Sequence, residues 1–235
     1  LLLSGILKFR KNRGIPIFMA VENNKGNWDF YRNLPIAQFK RIAGDAGFDA
    51  HKDLTLVAPF IKAEDAILEI GAGYGRCLDF LLAQQHRGPI TAIEQSPELI
   101  EALTKAYADK VKIIAGDIMA HEAPAAYDAA LWLWSGIIDF KPEQQLWLLK
   151  HILTMLKSGG KLFIDIPREG VQTIAKHEGD GQHIHFETPF GTLNGYIPGT
   201  DELKAMAKAA GYAQVEAIPY ATDTDKLRTM FILSV

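Results

Sequence analysis

The chain has 235 residues, 48% hydrophobic and 23% charged, with a formal net charge of −3. That composition describes a globular protein and excludes disorder, collagen and coiled coil as descriptions of the whole. The slightly acidic balance argues against a polyanion binder driven by counterion release. No apolar stretch approaches the ~18 residues a membrane-spanning helix needs, so stable membrane insertion is not expected. The single cysteine, Cys77, can form neither an internal disulfide nor a cysteine zinc site by itself. A reducing, cytoplasmic setting fits that usage.

The opening segment LLLSGIL (residues 1–7) is followed, not preceded, by Lys8, Arg10, Lys11 and Arg13, the reverse of a signal-peptide order. Met19 is the first methionine, so residues 1–18 read as sequence upstream of a natural start, or as a tail. A basic amphipathic arm on a membrane surface is the rival reading, with too short an apolar run to anchor well. Residues 1–26 are therefore set apart as a tail, and 27–235 are expected as a single domain. Within it, 27–63 are expected as a helical cap, 64–167 as the first half of the fold, and 168–235 as the part that completes the sheet.

Helical periodicity runs through residues 28–60. Trp28, Tyr31, Leu34 and Ile36 form one broken apolar stripe, and Phe39, Ile42 and Ala43 begin another that stops near Gly44 and Gly47. Short apolar runs then alternate with amphipathic stretches. Strands are expected at 66–70, 89–94, 111–116, 128–134 and 161–166. Helices are expected at 74–86, at 96–109 behind Ser96 and Pro97, and at 142–157 behind Pro142. Strands apolar on both faces, alternating with helices, imply a parallel sheet covered on both sides, doubly wound by right-handed crossovers. After Pro167 the alternating runs 183–187 and 190–197 predict an inserted hairpin. A helix at 201–210 and strands at 212–219 and 227–234 then extend the same sheet.

The richest segment is Glu69-Ile70-Gly71-Ala72-Gly73-Tyr74-Gly75, at the first strand-to-helix junction. Glycines there permit a tight turn and let a ligand approach the main chain, at the strand ends where open α/β sheets bind ligands. The dinucleotide spacing G-x-G-x-x-G would place its third glycine at residue 76, where Arg76 stands, and no Gly-Lys-Ser/Thr of a P-loop follows. The second strand ends in Glu94, nineteen residues beyond Gly75, where a carboxylate can accept from both hydroxyls of a ribose. The third ends in Gly116-Asp117-Ile118, where an acid can accept from an exocyclic amine. Adjacent strand ends would then form a slot for a nucleoside with a short polar tail.

With E-x-G-x-G-x-G, a second-strand acid, G-D after the third strand, and Leu156-Lys-Ser-Gly-Gly160 before the fifth, residues 64–235 resemble the class I S-adenosylmethionine-dependent methyltransferases. The resemblance implies an α/β, doubly wound, seven-stranded sheet, mostly parallel, with the last strand antiparallel. It also implies S-adenosyl-L-methionine as cofactor and S-adenosyl-L-homocysteine as product. Glu69 and the loop Gly71, Ala72, Gly73 and Gly75 would hold the methionine end. Glu94 would bind the ribose, Gln95 would flank the adenine, Asp117 would meet its amine, and Ile118 would pack on its ring. Trp134 would run past the methionine portion. The run Trp134-Ser135-Gly136-Ile137-Ile138-Asp139-Phe140 lacks the Asn/Asp-Pro-Pro-Tyr/Phe motif of base and glutamine amino-methylation, so nucleic acid is not expected as substrate.

Blander readings stand beside these. Glu69 and Asp117 could instead be helix caps, a lesser reading given their joint spacing, and Trp132 is expected in the core. His183, His185 and Glu187 share one face of the hairpin strand. They would supply a general base (His183 or His185), or simply form its solvent-facing edge; no metal site is assigned. The function these readings favour is methyl transfer to a small-molecule acceptor. The alternatives are a nicotinamide- or nucleotide-binding oxidoreductase, or a non-catalytic cofactor-binding module.

Overall fold

The computed structural model describes residues 25–170, 176–177 and 181–235. The segment set apart as a tail therefore lies, except for Lys25 and Gly26, outside the described residues. The helical cap expected from 27 consists of α1 (Lys25–Asn33), α2 (Ile36–Asp45) and α3 (Lys52–Val57). Its broken stripe becomes two helices because Pro35 occupies the N-cap of α2 in an extended conformation, which α1 cannot continue through.

The strands β1 (Ile67–Ile70), β2 (Ile90–Glu94), β3 (Val111–Ala115), β4 (Tyr127–Trp132), β5 (Leu156–Pro167), β9 (Gln214–Ala221) and β10 (Leu227–Ser234) form one sheet in the order β3-β2-β1-β4-β5-β10-β9. β1 pairs in parallel with β2 and β4, Ile67 facing Ile90 on one side and Ala129 on the other. β10, the last strand of the chain, runs antiparallel to both β5 and β9. The seven-stranded, mostly parallel architecture is thus the one the sequence implied.

Every residue of β1 and β2 is buried, because both faces are covered. Leu68, Ile70, Ala130 and Trp132 pack toward α6 (Pro142–Met155) and α7 (Thr200–Ala210). Ile67, Ala129 and Leu131 pack on the other face with Leu78 and Leu81 of α4 (Arg76–Ala83) and Leu103 of α5 (Pro97–Tyr107). Each fully buried aliphatic side chain contributes about 1.5–3 kcal/mol before entropy is counted. A one-residue slip of β1 would exchange the two faces and put the Glu69 carboxylate into the wrong layer.

Several boundaries differ from expectation. β5 begins at Leu156, not 161. Leu156 pairs with Tyr127 while Lys161 pairs with Ala129, so the Gly159-Gly160 run is an irregularity inside a strand, and α6 stops at Met155. β4 ends at Trp132, because Trp134 and Ser135 take left-handed backbone angles (φ +49° and +69°). The hairpin is present as β7 (His183–Thr188) and β8 (Gly191–Tyr196), turning at Pro189-Phe190. With the short β6 (Lys176–His177) it forms a separate three-stranded sheet. Among the described residues, no helix is long and apolar enough to cross a membrane.

Candidate functional site

The carboxyl ends of β1 to β4 open into one cleft, roofed by α1 and α2. The glycine loop turns through three left-handed backbones, Gly71, Gly73 and Gly75 (φ +70°, +57° and +92°), which side-chain-bearing residues adopt at a cost. At Gly75 a Cβ would also lie 2.6 Å from the Tyr107 hydroxyl, and at Gly73 it would lie 3.3 Å from the Phe39 ring. Gly75 is the N-cap of α4 and does not itself line the cleft, whereas Gly71, Ala72 and Gly73 do.

Glu94 is the organising group of this end. Its carboxylate accepts the N–H of Gly73, Gln95 and Ser96, each at 2.8 Å. One side chain thereby ties the glycine loop to the start of α5. Ser96 occupies the N-cap position, but its side chain makes no capping bond; its hydroxyl reaches the Tyr31 carbonyl at 3.4 Å instead. Burial pushes the Glu94 carboxyl above its ordinary value, and the three amide donors oppose that rise. An ionised carboxylate offers about four lone-pair sites, so acceptor capacity toward the cleft remains.

Glu69 behaves differently. It is 3% exposed, and its Oε2 is buried with no hydrogen-bond partner. Burial raises it to about 7, and the Cys77 thiol and Arg76 only partly offset that. A buried carboxylate oxygen without a donor is costly, and this one borders the cleft. It fits a ligand that brings a hydrogen-bond donor. Glu69 caps no helix. Asp117 does: its Oδ1 accepts the Met119 N–H at 2.9 Å at the start of the 3₁₀ turn Ile118–Ala120. The capping reading and the cleft reading of Asp117 are therefore both occupied, since it and the buried Ile118 also line the cleft. Gln95 is exposed at the rim beside them.

The far end is aromatic. The Trp134 ring stands 5.1 Å from Phe39 and 5.2 Å from Phe48, and Trp132 packs on Phe140 at 5.7 Å. Asp165 fixes the strained turn, accepting the Trp134 N–H on its side chain at 3.2 Å and the Ser135 N–H on its carbonyl at 2.8 Å. Asp165 is itself buried in an ion pair with Arg228 at 2.9 Å and accepts the Tyr220 hydroxyl at 2.7 Å. Arg76, at the third-glycine position, is committed to Asp53 by a bidentate pair at 2.9 and 2.5 Å. Phe48 lies between the two guanidinium groups, at 4.9 and 5.2 Å.

Sequence reasoning passed over one polar cluster at this end. Asp139 accepts from Asn27 Nδ2 at 3.2 Å and from the Tyr31 phenol. Asn27 in turn accepts the Asn194 N–H and donates to the Asn194 carbonyl, both at 2.8 Å, clamping α1 onto β8. Asp139 interrupts the apolar run Ile137-Ile138-Asp139-Phe140, the one local sign of a purpose for it. The base candidates lie elsewhere. His183 is exposed with its ring 4.9 Å from Tyr196, and His185 contacts Asn194 Oδ1 at 2.7 Å; neither histidine lines the cleft. Among the described residues, no group of three or more His, Cys, Asp or Glu side chains is placed to hold a metal ion.

Residues 67–160 match a family model described as a methyltransferase domain. A curated relative, trans-aconitate 2-methyltransferase of Rhizobium meliloti (strain 1021), is 26% identical over 116 residues, covering 49% of this chain. The chain matches only 43% of that relative's length. A solved S-adenosylmethionine-dependent methyltransferase from Methanosarcina mazei superposes with a TM-score of 0.63 at 14% identity, covering 76% of this chain and 96% of that one. A second solved structure is the 1,6-didemethyltoxoflavin-N1-methyltransferase of Burkholderia thailandensis, with its acceptor and S-adenosylhomocysteine bound. It gives a TM-score of 0.53 at 19% identity, over 84% of this chain and 87% of that one. Residues 67–160, which span β1 to β4 and the start of β5, thus match a methyltransferase-domain model, and the chain shares its fold with these solved methyltransferases.

Proposed function

We propose that the chain is an S-adenosylmethionine-dependent methyltransferase acting on a small-molecule acceptor, with residues 27–235 working as one unit. The observation that carries this reading is the convergence of Glu69, Gly71–Gly73, Glu94 and Asp117 on a single cleft. There, a buried Glu69 oxygen lacks a donor and the Glu94 carboxylate keeps acceptor capacity. A nucleoside with two ribose hydroxyls, an exocyclic amine and a cationic amino-acid tail supplies donors to Glu94, Asp117 and Glu69 respectively. S-adenosylmethionine, when bound, supplies a methyl group already activated on a sulfonium.

The chain's residues then have little bond chemistry to perform. Their work is alignment, a gain that reaches ~7–11 kcal/mol in ideal intramolecular geometry, and exclusion of water, which suits a reaction that consumes charge. Trp132, Trp134, Phe39 and Phe140 wall the far end against water, and α1 and α2 roof it. A roofed cleft of this kind admits a small acceptor more readily than a polymer. The small-molecule activities named for the Rhizobium relative and the Burkholderia neighbour agree with that choice.

The test is a calorimetric titration of the purified chain with S-adenosylhomocysteine, and with NAD as control. Saturable binding of the first and none of the second is expected. Binding of NAD alone overturns the reading.

A further inference from the structure

The acceptor end of the cleft carries a polarity that narrows what it takes. Four carboxylates border the cleft, Glu69, Glu94, Asp117 and Asp139; among the described lining residues, Arg76 is the one cation, and Asp53 already neutralises it. The first three belong to the end assigned above to the cofactor. Asp139 does not. It sits on the 3₁₀ turn Gly136–Asp139 that follows β4, next to Phe140, with the aromatic wall around it. The groups facing it are Asn27 and Tyr31, both from α1. Both donate and neither is cationic, so among the described residues no paired cation neutralises its charge.

A second observation concerns the aromatic faces. Two cleft aromatics already seat cations of the chain itself at the outer rim: Arg32 lies 4.9 Å above Trp28, and Lys40 lies 5.6 Å from Tyr74. Aromatic faces attract cations through their quadrupole, and more strongly when desolvated. Carboxylates repel a second anion in a low-dielectric cleft, and an unpaired charge there is expensive.

We propose that Asp139, held by Asn27 and Tyr31, forms the acceptor-recognition end of the cleft and selects an arylalkyl amine, neutral or cationic, over a carboxylate. This rests on the methyltransferase reading and names its substrate class. It sets this chain apart from the polycarboxylate named for its Rhizobium relative. The amine's N–H donates to the Asp139 carboxylate. A cationic amine first passes one N–H proton to Asp139, which leaves a lone pair on nitrogen. That pair forms the N–CH3 bond as the methyl–sulfur bond breaks with its electrons kept by sulfur, and a neutral amine passes its N–H proton to Asp139 once the N–CH3 bond has formed. Burial raises the Asp139 carboxyl to about 7, against the pull of its two donors, so it can hold the proton near neutral pH and release it again. Tyr31 is unsuited to that task, because burial and the Asp139 and Glu94 charges hold its phenol well above its ordinary value.

The experiment uses the whole chain saturated with S-adenosylhomocysteine and titrates matched pairs that differ in charge: phenethylamine against 3-phenylpropionate, tryptamine against indole-3-propionate, and trans-aconitate alone. At least one amine is expected to bind ~10-fold or more tightly than its carboxylate partner, the scale of a charge-assisted hydrogen bond. Asp139→Asn keeps the size and can still accept from Tyr31. It is expected to reduce that preference at least ~5-fold, on the same physical scale, with the S-adenosylhomocysteine titration reporting on the fold. Tyr31→Phe is expected to act in the same direction and less. Equal binding, preference for any of the carboxylates, silence from both amines, or an unchanged preference in Asp139→Asn overturns the proposal while leaving the cofactor reading standing. Failure of S-adenosylhomocysteine to bind the wild-type chain overturns the cofactor reading itself.

Discussion

The two ends of the cleft are built by different means. At the end proposed for the nucleoside, the polar groups come from a strand terminus or the turn after it: Glu69 in β1 and the glycine loop after it, Glu94 at the end of β2, Asp117 after β3. Backbone amides do much of the holding, as in the three N–H groups on Glu94. At the acceptor end, side chains hold side chains across long separations. Asn27 reaches Asp139 over 112 positions and Asn194 over 167. Arg228 reaches Asp165 over 63, and Phe48 is wedged between Arg76 and Arg228. The first end is assembled by the sheet topology, which sets successive strand ends side by side. The second is assembled from side chains distant in sequence.

Substitutions can break or sharpen this contrast. The largest effect is expected from Arg228→Met, which leaves Asp165 buried and unpaired behind the Trp134 turn. A loss of about 3–5 kcal/mol of stability is expected in urea unfolding. A loss under about 1 kcal/mol, the value of an exposed pair, would mean that the acceptor end does not depend on this brace. Glu94→Ala comes next. S-adenosylhomocysteine affinity is expected to fall ~10- to 100-fold, because hydrogen bonds to a charged group are lost. The melting temperature should fall as well, because the Gly73, Gln95 and Ser96 amides lose their acceptor. Glu94→Gln keeps an acceptor for the loop and so separates the two effects.

Glu69→Gln tests the buried orphan through pH. In the unfolded chain Glu69 titrates near 4.5, and burial raises it to about 7 in the folded one. The folded state therefore binds the extra proton between those values. The contribution is fully present below pH 4.5 and is lost as pH rises through 7. Thermal unfolding of the wild type should accordingly show lower stability at pH 8 than at pH 5, a difference on the order of 1–3 kcal/mol. Glu69→Gln should shrink that difference. Asp139, raised from 3.8 to about 7, contributes in the same direction, so Glu69→Gln leaves a remainder that Asp139→Asn should remove. The smallest effect is expected at Asp117→Ala. This carboxylate is exposed and caps a three-residue turn, so a loss of about 0.5–2 kcal/mol in stability is expected. Less than ~10-fold in S-adenosylhomocysteine affinity should go with it, measured calorimetrically.

Much of the nucleoside end was legible in the sequence because its groups are local. Glycines at 71, 73 and 75 mark a left-handed turn wherever they occur. An acid at the end of a doubly buried strand such as Ile90–Glu94 has one place to point. The acceptor end was only partly legible. The break of β4 before Trp134 was missed, because Leu-Trp-Leu-Trp reads as continuous strand and only contact with Asp165 imposes the left-handed angles. The histidines of the hairpin drew notice as residue types, while Asp139, Asn27 and Tyr31 were separated by too many residues to be seen as neighbours.

By itself, then, the sequence determined the doubly wound sheet, the glycine loop, and the acids at three successive strand ends. Hydrophobic periodicity and turn chemistry act over a few residues, and topology then places the strand ends side by side. Only the tertiary structure decided which carboxylates are orphaned and which are held, that Arg76 and Arg228 are neutralised in pairs around Phe48, and that Asp139 lines the cleft beside Asn27 and Tyr31. Those outcomes depend on burial and on partners brought together from distant parts of the chain. Burial sets the energy of a charge, and it is a property of the packed whole.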